Sequence, residues 1–105
     1  MILNPNYTII SNLQKLETPK IIYVSEGTDE KCIDILWSSV ENAELYKIYR
    51  KKEGETYILF DYAIVPSYSD RHVITGDFYY YKVKVTADNY QDSDDTISVK
   101  GWCKE

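Results

Sequence analysis

The stretch Phe78-Tyr79-Tyr80-Tyr81-Lys82-Val83-Lys84-Val85-Thr86-Ala87 decides the fold class. In a β-strand successive side chains point to opposite faces. Here Tyr79, Tyr81, Val83 and Val85 alternate with Tyr80, Lys82 and Lys84, so one face is apolar and the other carries lysines. Strong helix formers such as Ala, Leu, Glu and Lys make no stretch longer than about two turns anywhere in the chain. Eleven of the 105 residues are tyrosines, and Tyr, like β-branched side chains, suits a pleated, half-buried surface. The predicted class is all-β.

Six further runs of β-formers surround this one, over residues 20–25, 31–37, 45–52, 56–62, 67–70 and 96–103. Between them lie Glu26-Gly27-Thr28-Asp29, Glu41-Asn42-Ala43-Glu44, Glu53-Gly54-Glu55, Val65-Pro66, Thr75-Gly76-Asp77 and residues 88–95. Short strands punctuated by polar turns predict a seven-stranded immunoglobulin-like sandwich of two antiparallel sheets. Alternation puts Ile33, Ile35 and Trp37 on one side of the second run and Tyr46 and Ile48 on one side of the third. Ile97 and Val99 share a side of the last. These sets predict one core, with Trp37 buried between the sheets. Residues 1–18 show no clear period and read as a linker or N-terminal extension, with 7–10 a candidate short strand. The domain is read as 19–105.

Composition narrows the function classes. The length fits one domain, and 44% hydrophobic residues are enough for a core. Seventeen acidic against twelve basic residues give a net charge of −5, the wrong balance for a nucleic-acid binder that works by counterion release. No run of about 18 apolar residues is present to span a bilayer, so membrane insertion is not expected. The first residues lack the basic and long apolar regions of a signal peptide.

The runs, taken in order, resemble a fibronectin type III domain over about residues 19–102. Pro19 opens the first strand. Ile33-x-Ile35-x-Trp37 is similar to that family's second strand, and Tyr46-Lys47-Ile48-Tyr49-Arg50 to its third. Ser67-Tyr68-Ser69-Asp70 resembles the short fifth strand, and Gly76-x-x-Tyr79-x-Tyr81-x-Val83-x-Val85 the sixth, with Tyr79 at the tyrosine-corner position. Tyr90, Ser93 and Ser98-Val99 fit the last loop and strand of variants found in bacterial multidomain proteins. The resemblance implies a non-catalytic spacer or protein-interaction module of a larger, extracellular or cell-surface protein. Its partners would be neighbouring domains or another protein. The alternative is a carbohydrate-binding sandwich that targets an attached enzyme to polysaccharide. An Arg-Gly-Asp tripeptide is absent, so integrin adhesion is not implied.

Chemistry-bearing groups are few. Ser69, Asp70 and His72 are near neighbours on an extended segment, where side chains diverge, and nothing supplies an oxyanion hole. No enzyme activity is predicted. Glu53 and Glu55 flank a turn glycine. Residues 88–95 hold four Asp, but the run lacks the glycine and glutamate of a calcium-binding loop. No zinc spacing is present, and no cofactor or metal is expected. Cys32 and Cys103 are predicted at the same pole, but on sheets about 10 Å apart, so their pairing stays open. Asn6-Tyr7-Thr8 is a glycosylation triplet.

One surface stands out as a binding candidate: the outward side of the third, sixth and seventh runs. It carries Lys47, Tyr49, Tyr80, Lys82, Lys84 and Trp102, together with Lys51 and Lys100. Tyr and Trp are enriched in binding hot spots. A shallow face is expected rather than a deep pocket, because interdigitated side chains fill a sandwich of this thickness. A coplanar row of exposed aromatics would favour sugar; scattered ones would favour a spacer.

Overall fold

The computed structural model describes residues 13–104. Its strands are β1 (Ile21–Val24), β2 (Glu26–Glu30), β3 (Ile33–Trp37), β4 (Leu45–Lys52), β5 (Ile58–Ala63), β6 (Ser67–Asp70), β7 (Tyr79–Thr86) and β8 (Val99–Lys104). They form a three-stranded sheet, β1-β3-β6, and a five-stranded sheet, β2-β8-β7-β4-β5. The two sheets enclose Ile33, Ile35, Trp37, Tyr46, Ile48, Tyr79, Tyr81, Val83 and Val85, all buried. The alternation in 78–87 is seen directly, because every second residue of β7 from Tyr79 is buried. Among the described residues no helix is long and apolar enough to cross a membrane.

Three expectations need correction. First, there are eight strands, because the segment read as a turn at Glu26-Gly27-Thr28-Asp29 is the edge strand β2. It runs parallel to β8, so the five-stranded sheet is not wholly antiparallel. Its polar composition suits an exposed edge. Gly27 is required there: it has a φ of +74°, and a Cβ would lie 2.6 Å from Trp102 Nε1.

Second, the last strand starts at Val99, and Ile97 is 77% exposed instead of in the core. Val99 itself packs, partly buried, against the core. The cause is a hydroxyl-laced segment beside β7. The amides of Val85 and Val83 donate to Ser93 Oγ and Thr96 Oγ1 at 2.9 and 3.0 Å. The amides of Ser93 and Thr96 donate back to the carbonyls of Val85 and Val83. Two hydroxyl side chains three residues apart thus occupy places a strand backbone would fill. Thr96 turns inward and Ile97 outward, which no period of two anticipates.

Third, the packed region begins before Pro19. Lys15 makes a parallel bridge with Gln91, the Leu16 amide donates to the Gln91 carbonyl at 3.0 Å, and Leu16 is 5% exposed within the core. The readings made on 7–10 and on the Asn6 triplet lie outside the described residues. Arg50 and Asp70, on whose orientation no expectation was placed, both point inward and tie the sheets together. Arg50 Nη1 donates to Asp70 Oδ2 at 2.8 Å and the Tyr81 hydroxyl donates to the same oxygen at 2.6 Å. The guanidinium lies 3.7 Å from the Phe60 ring centroid and 4.9 Å from that of Tyr79.

Tyr79 takes the corner position that the resemblance implied. Its ring is buried and its hydroxyl accepts the Ile74 amide at 2.8 Å. A buried amide left without an acceptor costs about 1–3 kcal/mol. Tyr79→Phe is therefore expected to lower stability by about that amount, or less if water reaches Ile74, with the fold retained. Urea unfolding checks this as a shift in midpoint at constant slope.

Candidate binding face

The five-stranded sheet brings the predicted face together. Cross-strand pairing sets Lys47 opposite Lys84, Tyr49 opposite Lys82 and Lys51 opposite Tyr80, and Tyr80 opposite Lys100. Trp102 lies at the far end of β8, half-buried, between Gly27 and Phe78. Lysines directly opposite one another repel, and the acidic run at residues 88–95 answers that repulsion. Asp95 reaches Lys82 at 3.3 Å and Lys84 at 3.9 Å, and Asp92 reaches Lys47 at 3.9 Å. Asp94 holds Lys15 at 2.6 Å. Exposed pairs of this kind contribute little stability singly. Their effect here is to occupy the cations.

Tyr57, which the sequence reading passed over, occupies them further. It approaches from the β4–β5 connection and lies across the face, with Lys82 Nζ 4.2 Å and Lys51 Nζ 5.4 Å from its ring centroid. Its hydroxyl is hydrogen-bonded to Ser98. Lys51 also sits 5.1 Å from the Tyr80 ring, and Lys100 4.2 Å from that of Phe78. The Glu53 carboxylate beside Tyr80 pushes its phenol upward. Phe78 and Trp102 meet at 79°, edge to face. The face is therefore a mesh of lysines and aromatic rings engaged with one another, and its one close aromatic pair is not coplanar.

The remaining candidates do not assemble into sites. Asp70 accepts the backbone amide of His72, at 2.9 Å, and faces the core, whereas Ser69 and His72 are exposed. Glu55 Oε1 accepts the Lys52 amide and closes its own turn. Among the described residues no group of three or more His, Cys, Asp or Glu side chains is placed to hold a metal. Cys32 and Cys103 are free and buried. Cys32 Sγ lies 4.0 Å from the Asp34 carboxylate, on the outward side of β3, and Cys103 Sγ, at the edge of the core, lies 3.5 Å from Oγ1 of the exposed Thr75.

Two phenols are strongly perturbed. Burial, reinforced by the hydrogen bond to Asp70, pushes Tyr81 well above the usual tyrosine range. Tyr68 is raised by burial and by its 2.7 Å bond to Asp61, whose carboxyl is lowered in turn by that bond and by the Tyr62 amide. The sign follows from linkage: the unfolded chain ionises its tyrosines near pH 10, whereas these two stay protonated in the fold. Their contribution is whole below about pH 10 and is lost as pH rises through the folded values. In an alkaline titration followed by tyrosinate absorbance, Tyr81 and Tyr68 are expected to ionise last, together with loss of the β-sheet circular dichroism signal.

No protein-family model matches the sequence, and no curated protein matches it significantly. Solved structures do. A Fn3-like protein from Clostridium thermocellum superposes with a TM-score of 0.69 over 89% of this chain and 96% of its own, at 18% identity. A human fourth FNIII domain gives 0.71 over 88% of this chain and 82% of its own, at 14% identity. The chain has the fibronectin type III fold. A β-1,2-glucanase from Parabacteroides distasonis contains a similar region, with a TM-score of 0.76 and 25% identity over 89% of this chain. The present chain corresponds to only 13% of the glucanase chain.

Proposed function

We propose that the domain is a non-catalytic fibronectin type III module, acting as a spacer or protein-interaction unit in a larger extracellular or cell-surface protein. The observation that carries the reading is the match of nearly the whole chain to 13% of a much longer enzyme chain. The local chemistry agrees with it. Asp70, which would have to cooperate with His72 in catalysis, is buried and taken up by Arg50, Tyr81 and the His72 backbone amide instead.

The alternative, a carbohydrate-binding module, has less support on the candidate face. Sugar platforms need exposed rings lying flat, and here Tyr80 and Tyr57 are engaged by lysines while Trp102 meets Phe78 edge-on. Titration with soluble polysaccharides, followed by tyrosine and tryptophan fluorescence, separates the two readings. No saturable change is expected. Saturable binding that disappears on changing Tyr49 and Tyr80 to Ala would establish the carbohydrate-binding alternative.

A further inference from the structure

The outer face of the β1-β3-β6 sheet differs in kind from the lysine-rich face opposite. Tyr23 and Leu36 are cross-strand partners on the side away from Ile35 and Trp37, and both are exposed. Tyr62 at the end of β5, with Ile64 and Val65 in the β5–β6 connection, extends this apolar area; Ile64 is 79% exposed. These residues border an open cleft of about 700 Å³ that Asp34 also lines. Contiguous exposed apolar area with a polar rim marks an interaction site. The half-buried Asp34 makes no salt bridge among the described residues.

We propose that this cleft docks a neighbouring domain of the same polypeptide, which brings an apolar surface and one Lys or Arg placed for Asp34. The proposal rests on the module reading above. Charge complementarity points to the occupant. A carboxylate at the border of an apolar area calls for a partner that carries a cation. A second copy of this chain, docked by two-fold symmetry, would oppose the same patch to itself, and the residues lining that cleft include no Lys or Arg to meet Asp34. Position agrees as well. The Ser38 amide donates to the Lys20 carbonyl and the Trp37 amide to the Pro66 carbonyl. The start of β1 and the β5–β6 connection therefore share one end of the sandwich, so the chain enters the β1-β3-β6 sheet at the end where Ile64 and Val65 lie.

Hydroxyl-radical footprinting of the 105-residue chain and of the full natural polypeptide tests the proposal. Tyr23, Leu36 and Ile64 are expected to label readily in the short chain and several-fold less in the full polypeptide. Leu36→Lys with Ile64→Lys should restore labelling of Tyr23 there; Ile64→Lys alone serves if the pair disturbs folding. Asp34→Asn should restore it in part. Equal labelling in a full polypeptide that does contain further domains overturns the docking and leaves the module reading intact. A natural polypeptide consisting of this domain alone overturns both. Protection that instead grows with concentration of the short chain would assign the cleft to a second copy and overturn the proposed occupant.

Discussion

Asp70→Ala is expected to destabilise the domain by about 3–5 kcal/mol, the range for removing one member of a buried ion pair. Asp70 is fully buried and accepts from Arg50, Tyr81 and the His72 amide at once. Its loss leaves the guanidinium between the Phe60 and Tyr79 rings without a counter-charge, keeping only its bond to the His72 carbonyl, and leaves a buried phenol without a partner. Because β6 belongs to one sheet and β4 and β7 to the other, the damage falls on the contact between sheets. A control isolates the cause: replacing Arg50 by Met together with Asp70 by Leu removes both charges and should recover much of the loss, since apolar pairs of similar volume often substitute for buried ion pairs at little cost. Urea unfolding of the two variants makes the comparison. A double variant no more stable than Asp70→Ala would show that packing, and not the stranded charge, sets the cost.

Trp37→Ala should cost a similar amount, about 3–5 kcal/mol, on the scale of large aromatic truncations in cores. Trp37 is 2% exposed and meets Tyr46 edge to face, at 5.4 Å between centroids and 65°. The indole Nε1 is buried without a hydrogen-bond partner, so the side chain is held by shape and apolar contact. Trp37→Phe should therefore be much milder than Trp37→Ala, because it relieves an unpaired donor while keeping most of the ring. Thermal and urea unfolding of both variants would reveal the ordering. Equal losses would mean that the Nε1 group contributes more than the structure indicates.

The sheet cores were legible because alternation is a local property. Tyr79 to Val85, Ile33 to Trp37 and Tyr46 to Ile48 each declare an inward side within a few residues. What was illegible involved polar groups doing a backbone's or a core's work. Ser93 and Thr96 displaced the expected inward Ile97 by offering hydroxyls to β7, and nothing in a pattern of apolar residues signals that exchange. Arg50 did leave a trace: it shares the parity of Tyr46 and Ile48, and an arginine at an inward position calls for a buried carboxylate across the sandwich. Which carboxylate, Asp70, depends on the pairing of β3 with β6, a long-range fact. The strand at Glu26–Glu30 was hidden by its charges, which read as a turn until β8 lies alongside. Strand parity set Lys47, Tyr49, Tyr80, Lys82 and Lys84 on one side, and the pairing of β4 with β7 brings them side by side. Its occupation by Asp92, Asp95 and Tyr57 depended on where two connections fold back, and periodicity is silent on that.

The central claim, that this domain is one unit of a larger protein, is tested most directly by the mass of its natural polypeptide. An antibody raised against the folded domain, used on cells and culture medium of the source organism, should detect a species several times heavier than 12.3 kDa, outside the cell or on its surface. A single species of about that mass, confined to the cell interior, would contradict the account.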